Sequence, residues 1–302
     1  MVAFRITAIR VFFPFAITAF ALLFFAPPDA KAIGGRKTIS VRIFIDEEEP
    51  RIERLWQETL ARRLDAASTI LSQYSNIRFS CTKFSQWDSD DMTTDFDESL
   101  KEFEREAKPE PAELSIGFTS QYRLQRGRSN LGGTRGPMRK HILIREGAPN
   151  IQEVERLEVL VHELAHYLGA AHSGDLNSVM RPVLGDGKSR ARAFQIRLDQ
   201  SNAKIVQLIS TEMATRHINN MHALTLPTRT AIREQYLLLA KENPEDPVAK
   251  MYASLMDRSI KSTVAQRQKL LQLRKRKLEQ QKKPPPTESA PLKTETPIGS
   301  SG

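Results

Sequence analysis

The chain has 302 residues, of which 40% are hydrophobic, and its formal net charge is +9. This length and composition exclude a wholly disordered chain and allow one or two domains with a buried core. Residues 1–32 carry a net charge of +2 and residues 259–302 carry +7, so residues 33–258 are close to neutral. We therefore expect no nucleic-acid partner, since the central region has no basic excess to attract phosphate. The only cysteine is Cys81, which excludes an intramolecular disulfide.

Residues 1–32 have the pattern of a secretory signal peptide. Arg5 and Arg10 give a positive start, an apolar run covers residues 11–26, and Ala30-Lys31-Ala32 matches a cleavage site. We predict export through this signal, to the periplasm or outside the cell. The alternative is a retained membrane anchor, although the apolar run is short for a membrane span.

The next region alternates strand and helix patterns. Alternating β-branched residues predict strands at residues 38–45, 77–84, 113–119 and 141–146. Apolar residues at helical spacing predict a helix over residues 51–73, opened by Pro50, and a shorter one over 97–107. His141 is interpreted as a strand residue and not as a metal ligand.

An acidic cluster precedes the shorter helix. It comprises Asp88, Asp90, Asp91, Asp95 and Asp97. These carboxylates could bind calcium, but their spacing differs from that of an EF-hand loop. We interpret the segment as a solvated loop. Binding of a structural calcium ion is the alternative, and no motif in the sequence supports it.

A helix follows the strand at residues 141–146. Pro149 and Asn150 should open it, with Asn150 and Glu153 at the positions of a capping box. Its predicted buried stripe comprises Leu157, Val161, Leu164 and Leu168.

Residues 162–172 read HELAHYLGAAH, the pattern H-E-x-x-H-x-x-G-x-x-H. On a helix, His162 and His166 lie one turn apart on one face and can bind a common ion. Glu163 then stands beside the ion, where a carboxylate can accept a proton from water. Gly169 suits a turn at the helix end, which brings His172 to the same ion. Three neutral imidazoles leave a fourth zinc position open, as in catalytic sites.

This pattern, together with Met180 in the segment SVMRP, resembles the metzincin zinc endopeptidases. The sequence is most similar to the matrixin branch, since Ser173 follows the third histidine and Pro182 stands two residues after the methionine. The resemblance implies that Met180 forms a turn beneath the zinc ligands. An accessory structural zinc would need further histidines before the motif, and only His141 is there.

The resemblance also implies where substrate binds. The stretch before the last strand should form the upper edge of the cleft, where an extended peptide adds as a further strand. Its candidate residues are Leu131, Gly132, Gly133 and Thr134. Arg181, Pro182 and Val183 should line the pocket for the side chain after the scissile bond.

The C-terminal third is predicted to be largely helical. Periodicity indicates a helix over residues 191–214, after a loop at 184–188, and a helical extension over 226–260 that is split by Pro244 and Pro247. Residues 261–302 form a basic tail: residues 261–283 are a helix-like run, which we expect to be a solvated, partly disordered helix with a short coiled coil as the alternative, and residues 284–302 are rich in Pro, Ser and Thr and should be disordered. This tail could contact an anionic membrane or wall polymer.

Together these features predict an α+β fold: a metzincin-like catalytic domain over residues 33–225 with a mixed, mostly parallel sheet, an active-site helix and a C-terminal helix. We expect an exported zinc endopeptidase, in which Glu163 is the general base and zinc activates the water. Its partner would be a protein or peptide substrate, and we expect a monomer. The alternative is a non-catalytic zinc-binding or scaffold protein that keeps the fold.

Overall fold

A computed structural model describes residues 35–49, 52–120, 131–146 and 150–281. The predicted signal peptide lies outside the described residues. A five-stranded sheet has the spatial order β2-β1-β3-β5-β4. Its strands are β1 (Lys37–Asp46), β2 (Ile77–Trp87), β3 (Leu114–Thr119), β4 (Gly132–Thr134) and β5 (His141–Arg145).

The sheet is parallel except at one edge. Strand β1 pairs in parallel with β2 and β3, and β3 pairs in parallel with β5. The short strand β4 pairs antiparallel with β5 and stands at the edge. Parallel neighbours need crossover connections, and helix α1 (Glu53–Leu71) lies in the connection from β1 to its neighbour β2. Helix α2 (Phe96–Glu106) lies in the connection from β2 to β3, which is on the other side of β1. The predicted α+β fold with a mixed, mostly parallel sheet is confirmed.

Alternate residues of β1 and β5 face two separate apolar clusters, as expected for strands buried on both sides. On one side of the sheet, Phe44 and Leu143 pack with Phe103 of α2. On the other side, Ile43 and Ile142 belong to a larger core that includes α1 and the active-site helix.

The active-site helix, α3 (Glu153–Tyr167), starts later than predicted. Its capping box is formed by Gln152 and Glu155, and the Gln152 backbone N–H donates to Glu155 Oε2 at 2.8 Å. The predicted box of Asn150 and Glu153 is wrong by two residues. Asn150 has a left-handed backbone with φ 63°, so it lies in the turn before the helix.

The predicted helix over 191–214 also begins later. Helix α4 (Gln200–Arg216) starts after Asp199, whose side chain accepts the Asn202 backbone N–H as an N-cap. The residues just before α4 are not helical, and one of them bonds to a distant segment: the Val179 N–H donates to Arg197 O at 2.7 Å. This contact ties them to the segment that carries the predicted methionine turn.

Two further helices complete the domain, α5 (Leu226–Glu242) and α6 (Pro247–Gln281). We call α5, the connection 243–246 and α6 the C-terminal hairpin. Its buried residues belong to the same core as the sheet: Ile232, Tyr236, Leu239, Ala249, Tyr252, Ala253 and Met256. The hairpin is therefore built into the core of the domain.

Helix α6 continues into the predicted tail. It is helical to Gln281, which covers most of the predicted helix-like run, and residues 282–302, where disorder is predicted, lie outside the described part. Its distal part exposes Leu270, Leu271 and Leu278 among basic residues. None of the described helices is apolar enough over a sufficient length to span a membrane. Contact of the tail with anionic polymers stays a prediction.

Candidate metal centre

Three histidine rings meet where α3 ends. His162 and His166 lie one turn apart on α3, with ring centroids 4.5 Å apart. After α3 the chain turns at Gly169, whose φ of +97° lies in the left-handed region that glycine tolerates. The turn brings the His172 ring to 5.4 Å and 5.0 Å from the other two. One ligand nitrogen from each histidine lies within 4.8 Å of the others.

Each imidazole is held through its Nδ1 atom. His162 Nδ1 lies 2.7 Å from Val179 O, and His166 Nδ1 lies 2.8 Å from Ala170 O. His172 Nδ1 lies 2.6 Å from a carboxylate oxygen of Asp246. Because a carbonyl or an ionised carboxylate can only accept, all three Nδ1 atoms carry the proton. The Nε2 atoms of neutral rings are then left with free lone pairs.

The rings on α3 stay neutral. Burial lowers the pKa of His162 well below its usual value. Burial, with a contribution from His172, lowers the pKa of His166 to about 4. Their Nε2 atoms are nevertheless only 2.9 Å apart. Two unprotonated lone pairs at that distance repel each other, and a cation bound to both would remove the repulsion.

This donor set fits zinc. Three neutral imidazoles bound through one nitrogen each, with the other N–H donated to a fixed acceptor, are what a zinc site with one open position requires. The structure thus brings the predicted ligands His162, His166 and His172 together. His141 is elsewhere, since its Nε2 bonds to Ala107 O at 3.0 Å.

Glu163 lies beside the ligands with a free acceptor atom. Its side chain is buried, and Oε2 has no hydrogen-bond partner among the described residues. Burial raises the pKa of Glu163 to about 8. A buried carboxyl group without a partner is costly to the fold, and such groups concentrate at functional sites.

Met180 forms the turn predicted beneath the site. Its side chain is fully buried, and its carbonyl accepts the Ser173 N–H at 2.8 Å, just after the third histidine. The preceding carbonyl, of Val179, accepts from His162. The methionine turn therefore holds the His162 ring and is bound to the residue after His172.

The predicted upper rim is the edge strand. Gly132 lies against the side chain of Glu163, because an ideal Cβ there would be 2.9 Å from Glu163 Oε1. Gly133 faces the ring of Phe96 instead. Thr134 is tied to the sheet by its hydroxyl, which donates to His141 O at 3.0 Å. Leu131 is half-buried and packs against the main core.

Arg181 is held by two carboxylates inside the domain. Its side chain is buried, with Nη1 donating to Glu158 Oε1 at 2.6 Å and Nη2 to Asp186 Oδ1 at 3.0 Å. The buried carboxylate of Glu158 holds the guanidinium in the interior, and the contact of Arg181 with substrate stays a prediction. Pro182 and Val183 are exposed, and their contact with substrate stays a prediction.

The family model described as matrixin, Peptidase_M10, matches residues 48–209, more than half of the chain. The chain belongs to the matrixin family. Membership and the three-histidine cluster together support a zinc metallopeptidase. The matrixin match covers all three ligands, Glu163 and Met180.

Other comparisons are weaker. A solved structure described as a chaperone–substrate complex has 12% identity and a TM-score of 0.41, over 59% of this chain and 38% of that chain. The archaemetzincin of Methanopyrus kandleri has 16% identity and a TM-score of 0.38, over 57% of this chain and 95% of that chain. No curated protein sequence matches the chain.

Two residues that no sequence motif indicated reach the site from beyond the matrixin match. Asp246 bonds to His172, and the Tyr236 hydroxyl donates to Gly169 O at 2.7 Å. The only signal for Asp246 was its place before Pro247, which suggests a helix cap. A partner 74 residues away from His172 in sequence could not be inferred from that pattern.

The acidic cluster has a structural use. Asp95 caps α2, because its side chain accepts the Glu98 N–H. Asp90 accepts from the Met92 N–H at 2.9 Å. Ligand atoms of Asp91, Glu47 and Glu48 lie within 4.8 Å of one another, but these side chains are exposed. Such groups are common on surfaces, and calcium binding remains untested.

Proposed function

We propose that the chain is an exported zinc-dependent endopeptidase that cuts within proteins, with Glu163 as the general base. One observation carries the proposal: among the described residues, Oε2 of the buried Glu163, which follows the ligand His162 on α3, has no hydrogen-bond partner, and the three histidines each offer a ligand nitrogen within 4.8 Å of the others. A scaffold protein needs the three ligands for stability but has no use for that carboxyl group.

The proposed chemistry divides between metal and protein. Bound zinc would supply a Lewis acid that polarises the substrate carbonyl and makes water more acidic. Glu163 takes the proton from the attacking water and returns it to the leaving nitrogen. The carbonyls of Val179 and Ala170 keep two ligand rings oriented throughout.

The edge strand supplies a place for an extended substrate. Strand β4 pairs with β5 on one side only, and no strand among the described residues covers its other edge. An extended peptide can add there through backbone hydrogen bonds. Gly132 allows the carboxyl group of Glu163 to approach the backbone of this strand closely.

Substitution of Gly132 by alanine should slow hydrolysis without loss of the metal. The new methyl group would meet Glu163 Cγ and Oε1 at 2.9 Å and push the carboxyl group aside. Because a displacement of about 1 Å in a reacting group can cost a factor of about 100, we expect kcat/KM to fall about 10- to 100-fold. Peptide hydrolysis and zinc content would both be measured.

Gly133→Ala is the matched control, since its methyl group would meet the Phe96 ring on the opposite side. It should lower the free energy of unfolding, and it should lower kcat/KM less than Gly132→Ala does. Equal activity of Gly132→Ala and wild type would contradict the placement of this strand at the cleft.

The endopeptidase proposal is tested with the full chain and unfolded casein. Mass spectrometry of the products should show new termini in the interior of casein, and a chelator should abolish them until zinc is restored. Release of terminal residues alone would contradict an endopeptidase. Zinc binding without any cleavage would favour the scaffold alternative. For export, the protein recovered from cells should begin at residue 33; an intact N terminus would contradict cleavage.

A further inference from the structure

The loop that carries His172 is the least protected part of the metal centre. His162 and His166 project from α3 and are buried, whereas the His172 side chain is 22% exposed and lies on the loop after Gly169. A ligand on a loop needs external contacts to keep one orientation, because its backbone has no helical hydrogen bonds.

The C-terminal hairpin supplies those contacts at three points. The Tyr236 hydroxyl donates to Gly169 O at 2.7 Å, where the loop begins. Gly174 lies so close to α5 that an ideal Cβ would be 2.8 Å from the backbone oxygen of Glu242. Between these two points, Asp246 reaches His172 itself. The loop is therefore enclosed by the hairpin along its length.

The carboxylate of Asp246 is fixed at both oxygens. Oδ2 accepts from His172 Nδ1 at 2.6 Å, and Oδ1 accepts from the Val248 N–H at 2.9 Å, in the first turn of α6. The start of α6 thus holds the carboxylate in the orientation that His172 requires. The other two ligand rings have backbone carbonyls in this role, so Asp246 is the charged partner among the three.

We propose that Asp246 is a positioning residue for the zinc site, acting through His172 from a segment that lies outside the matrixin match. It holds the proton on Nδ1, leaves Nε2 free for the metal, and places a negative charge behind the ring, which makes the ring a stronger ligand. This inference rests on the proposed zinc site but does not depend on peptide cleavage.

The test measures zinc affinity of the full chain by competition with a chromogenic chelator. Loss of such a hydrogen-bonded partner typically weakens metal binding about 10- to 100-fold, and we expect this for Asp246→Ala. Asp246→Asn can keep its amide oxygen on the Val248 N–H, but its NH2 group then faces His172 Nδ1 and cannot accept the proton, so zinc affinity should fall about as far as in Asp246→Ala with the helix start intact. Wild-type affinity in both variants would overturn the proposal.

A second carboxylate of the hairpin provides the matched control. Asp257 pairs with Arg233 between α6 and α5 and has no contact with the metal centre. Asp257→Asn should leave zinc affinity unchanged. An equal loss for Asp257→Asn and Asp246→Asn would mean that general loosening of the hairpin is responsible, and would overturn the positioning role.

Substitution of His172 itself further distinguishes an effect of Asp246 through the His172 ring from general loosening of the hairpin. In a His172→Ala background, Asp246→Ala should cause no additional loss of zinc affinity, because its effect passes through the ring. A full additional loss would overturn the proposal. The absorption spectrum of the cobalt-substituted protein should also change in Asp246→Ala and stay as in wild type in Asp257→Asn.

Failure of the positioning role of Asp246 can be distinguished from failure of the proposed endopeptidase function. If the wild type binds zinc and cuts nothing, the endopeptidase proposal fails while the affinity series still tests Asp246. If the wild type binds no zinc, both fail together.

Discussion

Glu163→Gln is expected to abolish most peptide hydrolysis and to leave zinc bound. The amide has nearly the same shape as the carboxyl group but cannot accept the proton from water. General base catalysis contributes typically about 10²–10⁴ in rate, so kcat should fall by that factor. Zinc content should stay at the wild-type level, since the three imidazoles and their Nδ1 partners are untouched.

The matched control for this substitution is Glu153→Gln. Glu153 is in the first turn of the same helix, its side chain is 55% exposed, and it pairs with Arg63 instead of facing the histidines. This variant should keep wild-type kcat. Loss of zinc from Glu163→Gln would contradict a purely catalytic role for Glu163. A kcat of Glu163→Gln close to that of the wild type would show that Glu163 is not the general base.

Arg181→Ala is expected to be among the most destabilising single substitutions in the domain. The Arg181 and Glu158 side chains are 2% and 0% exposed, so the substitution leaves the Glu158 carboxylate buried without its cation. Removal of one partner of a buried pair typically costs about 3–5 kcal/mol of unfolding free energy. Urea denaturation of the metal-free proteins measures the difference.

A double substitution checks that explanation. Arg181→Met combined with Glu158→Leu removes both charges, and apolar replacement of a buried pair is often close to neutral. The double variant should therefore recover most of the loss, with Asp186 free to be solvated at its 24% exposed side chain. If Arg181→Ala unfolded like wild type but changed peptide specificity, the predicted contact of Arg181 with substrate would be supported instead.

The metal centre could be predicted from the sequence where it depends on local geometry. The four-residue step between His162 and His166 fixes their common face on any helix, and Gly169 marks the turn because few other residues accept its backbone conformation. The strands could be predicted in the same way, since alternation along residues 38–45 is a property of the segment itself.

Contacts between distant segments could not be predicted. The pairing of Arg181 with Glu158 is one of them, because the direction of a long side chain is set by its partners. Here Glu158 lies 23 residues earlier in the chain. The contact of Asp246 with His172 could not be predicted for the same reason. The local sequence around Asp246 indicates only an ordinary helix cap, and its contact with His172 depends on how the hairpin packs.

Helix boundaries failed for a different reason. Two capping patterns overlap before α3, and Gln152 with Glu155 prevails over Asn150 with Glu153. Apolar periodicity from residue 191 suggested a helix there, but Asp199 provides the N-cap and the preceding residues bond to the methionine turn. Competition of this kind is settled by tertiary contacts, which periodicity does not record.

The central claim is that the Nε2 atoms of His162, His166 and His172 hold one zinc ion. Anomalous diffraction from crystals of the zinc-loaded full chain, collected on both sides of the zinc absorption edge, tests it most directly. We predict one strong peak within bonding distance of all three Nε2 atoms and beside the Glu163 carboxyl group. A peak bound elsewhere, for example at the acidic surface group of Glu47, Glu48 and Asp91, with none at the histidines, would contradict the account.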